Sequence, residues 1–363
     1  MNPDSITREW KLLEARPIVR GVGRTVCVAN QKGGVGKTTT AVNLAAGLAL
    51  RGHRVLVVDI DPQSNATTGL GVDHRAVERS TYDLLLGDAA LPEVAVPTAV
   101  AGLDLAPASL DLAGAEVELV GSISREKKLA EALEGAGARY ELVFIDCPPS
   151  LGLLTLNALA AAHDLIVPVQ CEYYALEGLG QLLGTAERVR RALNPELRIS
   201  GFLLTMYDAR TKLAGQVAAE IRSHFPELAF GTVIPRSVRL SEAPSYGEPV
   251  LTLDPSSRGS ITYRLLAAEV EARYGLDVHP PPPPPADQDG AQPDDVEQSD
   301  VVRGAGHDQG ARGDRADGAG PATRPSVPGP GGRGYGTVAP EPAGLDRAWP
   351  RPEPWSEPEG RTR

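Results

Sequence analysis

The stretch 24–51, RTVCVANQKGGVGKTTTAVNLAAGLALR, constrains the fold of this chain more than any other. Residues 24–30 form a short, Val-containing apolar run of strand length, and residues 37–51 carry small and apolar side chains at helical spacing. Between them lie Gln31, Lys32, Gly33, Gly34, Val35, Gly36, Lys37, Thr38 and Thr39. A strand that turns through glycines into a helix aims successive backbone N–H groups into the turn, beside the positive end of the helix dipole. Such a cradle suits phosphate. Lys37 is then placed to neutralise the β- and γ-phosphates of a nucleotide, and the Thr38 hydroxyl to sit on Mg²⁺. Gly33, Gly34, Val35, Gly36, Lys37, Thr38 and Thr39 are the candidate phosphate contacts. The pattern G-x-x-x-x-G-K-[ST] is not met in full, because Gln31 stands where the first glycine belongs. A second lysine, Lys32, directly precedes the glycine pair.

Four further runs, 54–60 (RVLVVDI), 141–146 (ELVFID), 164–170 (DLIVPVQ) and 199–205 (ISGFLLT), are apolar on both faces. That is the signature of parallel strands covered on each side. Helix-period segments at 37–51, 152–162, 175–193, 211–224 and 259–274 alternate with them. The expected fold is therefore α/β and P-loop NTPase-like, a mainly parallel twisted sheet with helices on both faces, with ligands at the carboxyl ends of the strands. Residues 24–276 are expected to form this one domain, preceded by a short arm, 1–23, without an obvious fold. From Pro280 to Arg363 the composition changes: 17 of 84 residues are Pro and 14 are Gly, with no Lys, Ile or Phe. So little apolar surface does not offset the ordering entropy of about 1–2 kcal/mol per backbone residue, so 277–363 is expected to be a disordered, acidic tail. Its role is either solubilising or the docking of a partner through Trp349 and Trp355.

Two carboxylate blocks end strands of the expected sheet. Asp146 closes 141–146 and is placed to hold Mg²⁺, directly or through water. Asp59 and Asp61 close the second strand, spaced so that an extended chain puts both on one face. Asp59 is read as a third metal-site residue with Thr38 and Asp146, and Asp61 as serving hydrolysis; capping of the next turn is the alternative for either. Met206 and Pro235 follow late strands, where a base can rest, and are candidate adenine contacts.

The formal net charge of −11, from 36 Lys+Arg and 47 Asp+Glu, excludes a uniformly basic nucleic-acid coat but not a focused basic patch. Cys27, Cys147 and Cys171 show no C-x-x-C spacing, which excludes a zinc ribbon and fits a reducing cytosol. No apolar run of 18 residues occurs, so a cytoplasmic chain is expected.

KGGVGKTT with its extra Lys32, VDIDPQSNAT at 58–67, FIDCPPSLG at 144–152 and VIPRSVRLSEAPSYG at 233–247 resemble the ParA/Soj-type chromosome-partitioning ATPases. These belong to the deviant Walker A group of the MinD/ParA superfamily. The resemblance spans roughly 24–274 and leaves out the arm and the tail. It implies an ATP-sandwich homodimer in which Lys32 reaches the partner's nucleotide. Lys32, Lys37 and Asp61 then act in hydrolysis, while Thr38 and Asp146 hold Mg²⁺. It also implies non-specific binding of double-stranded DNA, stimulation by a ParB-type centromere-binding protein and association with the nucleoid. DNA contact in an acidic protein needs clustered arginines; Arg188, Arg190, Arg191 and Arg222 are candidates, and Arg210, Arg236 and Arg239 are preferred because they lie in family-like segments. A solvated helix face is the alternative for each. A MinD-like membrane-positioning ATPase is the runner-up. It needs a C-terminal amphipathic helix, and RPEPWSEPEGRTR has prolines and acids there. With only 23 residues before the first strand, a separate N-terminal DNA-binding domain is not expected, and a chromosomal rather than plasmid system is favoured. Ending the chain after residue 276 is expected to leave the thermal unfolding midpoint unchanged; a collapsed transition contradicts the reading of the tail.

Overall fold

The computed structural model describes residues 23–172 and 175–277, without side chains over 175–178. The expected disorder of 277–363 and nearly all of the arm lie outside the described residues, as do both tail tryptophans. Seven strands form one sheet: β1 (Arg24–Val28), β2 (Val55–Asp59), β3 (Val96–Pro97), β4 (Leu103–Ala106), β5 (Leu142–Asp146), β6 (Asp164–Gln170) and β7 (Arg198–Thr205). Their order is β3-β4-β2-β5-β1-β6-β7, parallel throughout except for the short antiparallel pair β3–β4 at one edge. All five strands expected from the sequence are present. β3 and β4 were not anticipated, because two and four residues are too few to carry a periodic signal.

The helices that position the site are α1 (Lys37–Ala49), α2 (Asn65–Gly69), α3 (Thr81–Leu86), α4 (Leu112–Glu118), α5 (Lys128–Ala132), α6 (Leu153–Ala161), α7 (Ala175–Ala192), α8 (Lys212–His224), α9 (Val238–Glu242) and α10 (Arg258–Tyr274). Alternation along the strands divides the apolar residues between two cores. Cys27, Leu56, Val58, Val143, Ile145, Leu165 and Val167 face the layer made by α3, α6, α7 and α8. Val26, Val28, Val55, Val57, Leu142, Phe144 and Ile166 face α1 and α10. This is why the strands read as continuous apolar runs. α1 is buried along nearly its whole length, and Gly47 lets it approach α10 so closely that a Cβ there would stand 3.2 Å from the Ala267 methyl.

β1 lies between β5 and β6, and the crossovers on its two sides run in opposite directions. The crevice so formed, at the carboxyl ends, is where this class of sheet binds ligands. At the amino ends the chain is locked by charge instead. Asp164 is fully buried and accepts from Arg24 Nη1 and Arg198 Nε, each at 2.6 Å. Nearby, buried His53 sits 2.8 Å from Glu271, which also takes a bond from Arg51. These clusters tie β1, β6, β7 and α10 together far from the crevice. Asp164→Ala is expected to destabilise the fold by about 3–5 kcal/mol, because two largely buried guanidinium groups lose their counter-charge; denaturant unfolding measures this.

Candidate functional site

The phosphate loop forms as the glycines dictate. Gly34 (φ 72°) and Gly36 (φ 88°) adopt left-handed backbone, which glycine enters without the steric penalty of a Cβ. Asn30 braces the entry, its Oδ1 accepting from Lys32 N at 3.0 Å and its Nδ2 donating to Pro168 O at 2.7 Å. Thr205, at the end of β7, closes the loop from the other side by donating to Val35 O at 2.8 Å. Asn43 pins the first turns of α1, donating to Thr39 O and accepting from Val250 N. Neither Asn30, Thr205 nor Asn43 was singled out from sequence, because each acts through a loop carbonyl or amide that only the folded chain brings near.

Lys37 is 6% exposed, and its Nζ lies 3.4 Å from Lys32 O. Burial lowers its pKa, opposed by the attraction of Asp146, Cys147 and Asp61. β2 and β5 place Asp59 directly beside Asp146, as neighbours in register. Both are fully buried. Burial, and then the charge of Asp59, push Asp146 well above the usual carboxylate range, while the Thr38 hydroxyl and Lys37 pull the other way. Both oxygens of Asp146 lack a hydrogen bond of normal geometry among the described residues. A buried, unpartnered carboxylate facing a threonine hydroxyl is a hard-oxygen pair that suits Mg²⁺. No three His, Cys, Asp or Glu side chains among the described residues converge as an all-protein metal cage.

Asp59 departs from its expected part. Its Oδ2 accepts from Thr67 N (2.8 Å) and Thr67 Oγ1 (2.7 Å), and its Oδ1 accepts from Asp61 N (3.1 Å). With three acceptor positions taken, it anchors the turn into α2 rather than standing free as a metal ligand. Asp61 sits on the turn thus held; its Oδ1 accepts from Gln63 N at 3.0 Å, and among the described residues no bond engages Oδ2. Lys32 also differs from Lys37: its ammonium is on the surface, 3.3 Å from Glu172 Oε2 just past β6.

Beside the loop opens a cavity of about 510 Å³, walled by Gly36, Thr39, Thr205, Met206, Ile234, Pro235 and α9. Its volume and apolar walls match a small-molecule pocket. Met206 and Pro235, the candidate base contacts, both line it. Met206 adopts φ 51°, an uncommon conformation for a non-glycine residue and one that clusters at ligand sites.

The sequence comparisons now fall on a defined site. A family model described as an AAA domain matches residues 23–199. The sporulation initiation inhibitor protein Soj of Bacillus subtilis is 56% identical over 251 residues, which are 69% of this chain and 99% of that protein. The chromosome-partitioning ATPase Soj of Thermus thermophilus is also 56% identical, over 256 residues covering 70% of this chain and 98% of that one. The chain belongs to the ParA/Soj family of chromosome-partitioning ATPases. A solved structure of cobyrinic acid a,c-diamide synthase from Mycobacterium smegmatis, with a bound ATP analog and magnesium, matches with a TM-score of 0.62 and 40% identity, over 72% of this chain and 99% of that chain. This ParA/Soj member is an ATP hydrolase that uses ATP and Mg²⁺.

Most of the arginines expected on DNA are held in local ion pairs. Arg210 is 87% exposed and pairs bidentately with Asp208 at 2.9 and 2.7 Å. Arg239 pairs with Glu242 (3.1 Å) and Asp254 (3.3 Å). Arg190 and Arg191 share Glu187 within α7. Arg236 lines the cavity beside the phosphate loop. The three cysteines are buried, with Cys27 and Cys147 Sγ atoms 3.4 Å apart.

Burial, against three hydrogen bonds, raises the Asp59 pKa to about 6. An acid whose folded pKa is raised contributes stability below its unfolded pKa near 4 and loses it as pH rises through about 6. In ligand-free protein the unfolding free energy is therefore expected to fall across that window on account of Asp59. Asp59→Asn is expected to flatten this part of the curve; an unchanged slope contradicts the burial of a titrating carboxylate there.

Proposed function

We propose that this chain is an ATP-gated partition motor: ATP joins two copies, the dimer binds double-stranded DNA without sequence preference, and a ParB-type centromere-binding partner speeds hydrolysis and release. One observation carries the reading. The phosphate loop holds two lysines with separate stations, Lys37 folded into the cradle and Lys32 at its rim. A cation outside its own cradle suits a nucleotide held by a facing copy, which makes the complete site depend on dimerisation and lets nucleotide state control assembly.

Within one copy, Gly33 to Thr39 bind the phosphates, Lys37 neutralises them, and Met206 and Pro235 hold the base. Thr38 and Asp146 hold Mg²⁺, which supplies charge neutralisation at the phosphates when bound. Asp61, fixed by the Asp59–Thr67 anchor with one oxygen unengaged, orients the attacking water. Such chemistry needs positioning and electrostatics more than covalent steps. Arg210, Arg236 and Arg239 bind the DNA backbone, with Arg236 close enough to the base cavity to report nucleotide state to the DNA face. Their ion pairs must give way to phosphate, so affinity falls steeply with salt. Among the described residues no helix is long and apolar enough to cross a membrane. The proposed location is the nucleoid.

Co-sedimentation with unrelated DNA is expected only with ATP·Mg²⁺, not with ADP·Mg²⁺ or without nucleotide, and less at high salt. No sedimentation in any state, with nucleotide binding confirmed, removes the DNA step. Asp61→Ala is expected to keep ATP-dependent dimers and DNA binding while turnover drops by about 10²-fold or more, the usual scale for losing an oriented catalytic group. Dimers that fail to form would assign Asp61 to metal or structural work.

A further inference from the structure

The backbone of Lys32 is fixed, because its N–H is held by Asn30, itself tied to Pro168. Only its side chain is free to change partner. At present that partner is Glu172, through Nζ–Oε2 at 3.3 Å, with the two side chains 37% and 48% exposed. Glu172 Oε1 is in turn engaged by Gln170 Nε2 at 2.7 Å, and the same Nε2 lies 3.4 Å from Met206 Sδ. A continuous line of contacts thus runs from the rim of the phosphate loop, through Glu172 just past β6 and Gln170 at its end, to the left-handed Met206 on the wall of the cavity beside the loop.

We infer that Glu172 is a positioning residue for Lys32: its carboxylate holds the ammonium at the rim of its own site and competes for it with the phosphates of a facing copy's nucleotide. The inference rests on the reading that Lys32 serves a second copy. Glu172 carries one negative charge and a triphosphate carries several, so phosphate wins the lysine once two nucleotide-loaded copies meet. Until then the exposed ion pair sets a modest threshold. Gln170 fixes the orientation of Glu172 and links it to the cavity that fills when nucleotide binds.

The test is sedimentation velocity of the full chain with Mg²⁺ over a series of ATP concentrations. Glu172→Gln is expected to lower the ATP concentration for half-maximal self-association by about two- to fivefold, the range open to an exposed ion pair. The difference from the unaltered chain should shrink at high ionic strength, where the pair is screened. Glu172→Asp keeps the charge and is expected to stay near the unaltered midpoint, which a change of packing at this position would not reproduce. Lys32→Ala is expected to abolish self-association. If Glu172→Gln leaves the midpoint unchanged or raises it while Lys32→Ala abolishes association, the role of Glu172 is overturned and that of Lys32 stands. If Lys32→Ala associates normally with ATP, the trans-acting lysine itself is overturned.

Discussion

Two buried carboxylates on neighbouring strands dominate this structure. Asp59 and Asp146 are partners in the β2–β5 register, both fully buried, with Asp61 two residues on. Like charges so close, away from water, are unfavourable, and Asp146 responds with a raised pKa. The fold answers in three ways. Thr67 and the Asp61 amide solvate Asp59, α1 brings the buried ammonium of Lys37 alongside, and the Thr38 hydroxyl faces Asp146. The compensation is incomplete, since Asp146 and Asp61 share one buried lysine and Asp146 keeps both oxygens unpartnered among the described residues. On the proposed reading, a divalent cation with its nucleotide completes it.

The two ends of the sheet show the same chemistry used oppositely. At the amino ends Asp164 is gripped by Arg24 and Arg198, and Glu271 by His53 and Arg51, so buried charge is matched and the strands are locked. At the carboxyl ends matching is left short. Buried carboxylates without partners are uncommon, and Asp146 stands in the crevice where the crossovers diverge. Stability and chemistry therefore occupy opposite edges of one sheet.

Much of this was legible beforehand. The five long strands and five long helices carry enough residues for periodicity to speak, and each appears within a residue or two of its expected bounds. The glycine loop was equally plain, because left-handed backbone at Gly34 and Gly36 leaves few alternatives. Less visible were β3, β4 and the short helices, whose formation depends on neighbours rather than on local pattern. The anchoring part of Asp59 was hidden for a similar reason: Asp59 and Asp61 are alike in the sequence, and only the approach of Thr67 decides which one becomes the anchor.

The sequence by itself determined the α/β alternation, the phosphate cradle, the strand-terminal acids and the family, since each rests on residues adjacent in the chain or on their spacing. The tertiary structure alone decided that Asp146 is the unpartnered carboxylate, that Arg236 borders the cavity beside the phosphate loop and that Lys32 rests on Glu172, 140 residues away. Those outcomes depend on which strand lies beside which and on what each side chain meets across the crevice. Hydrogen bonds and charge pairs act over a few ångströms of space, not along the chain, so their partners emerge only once the sheet has closed.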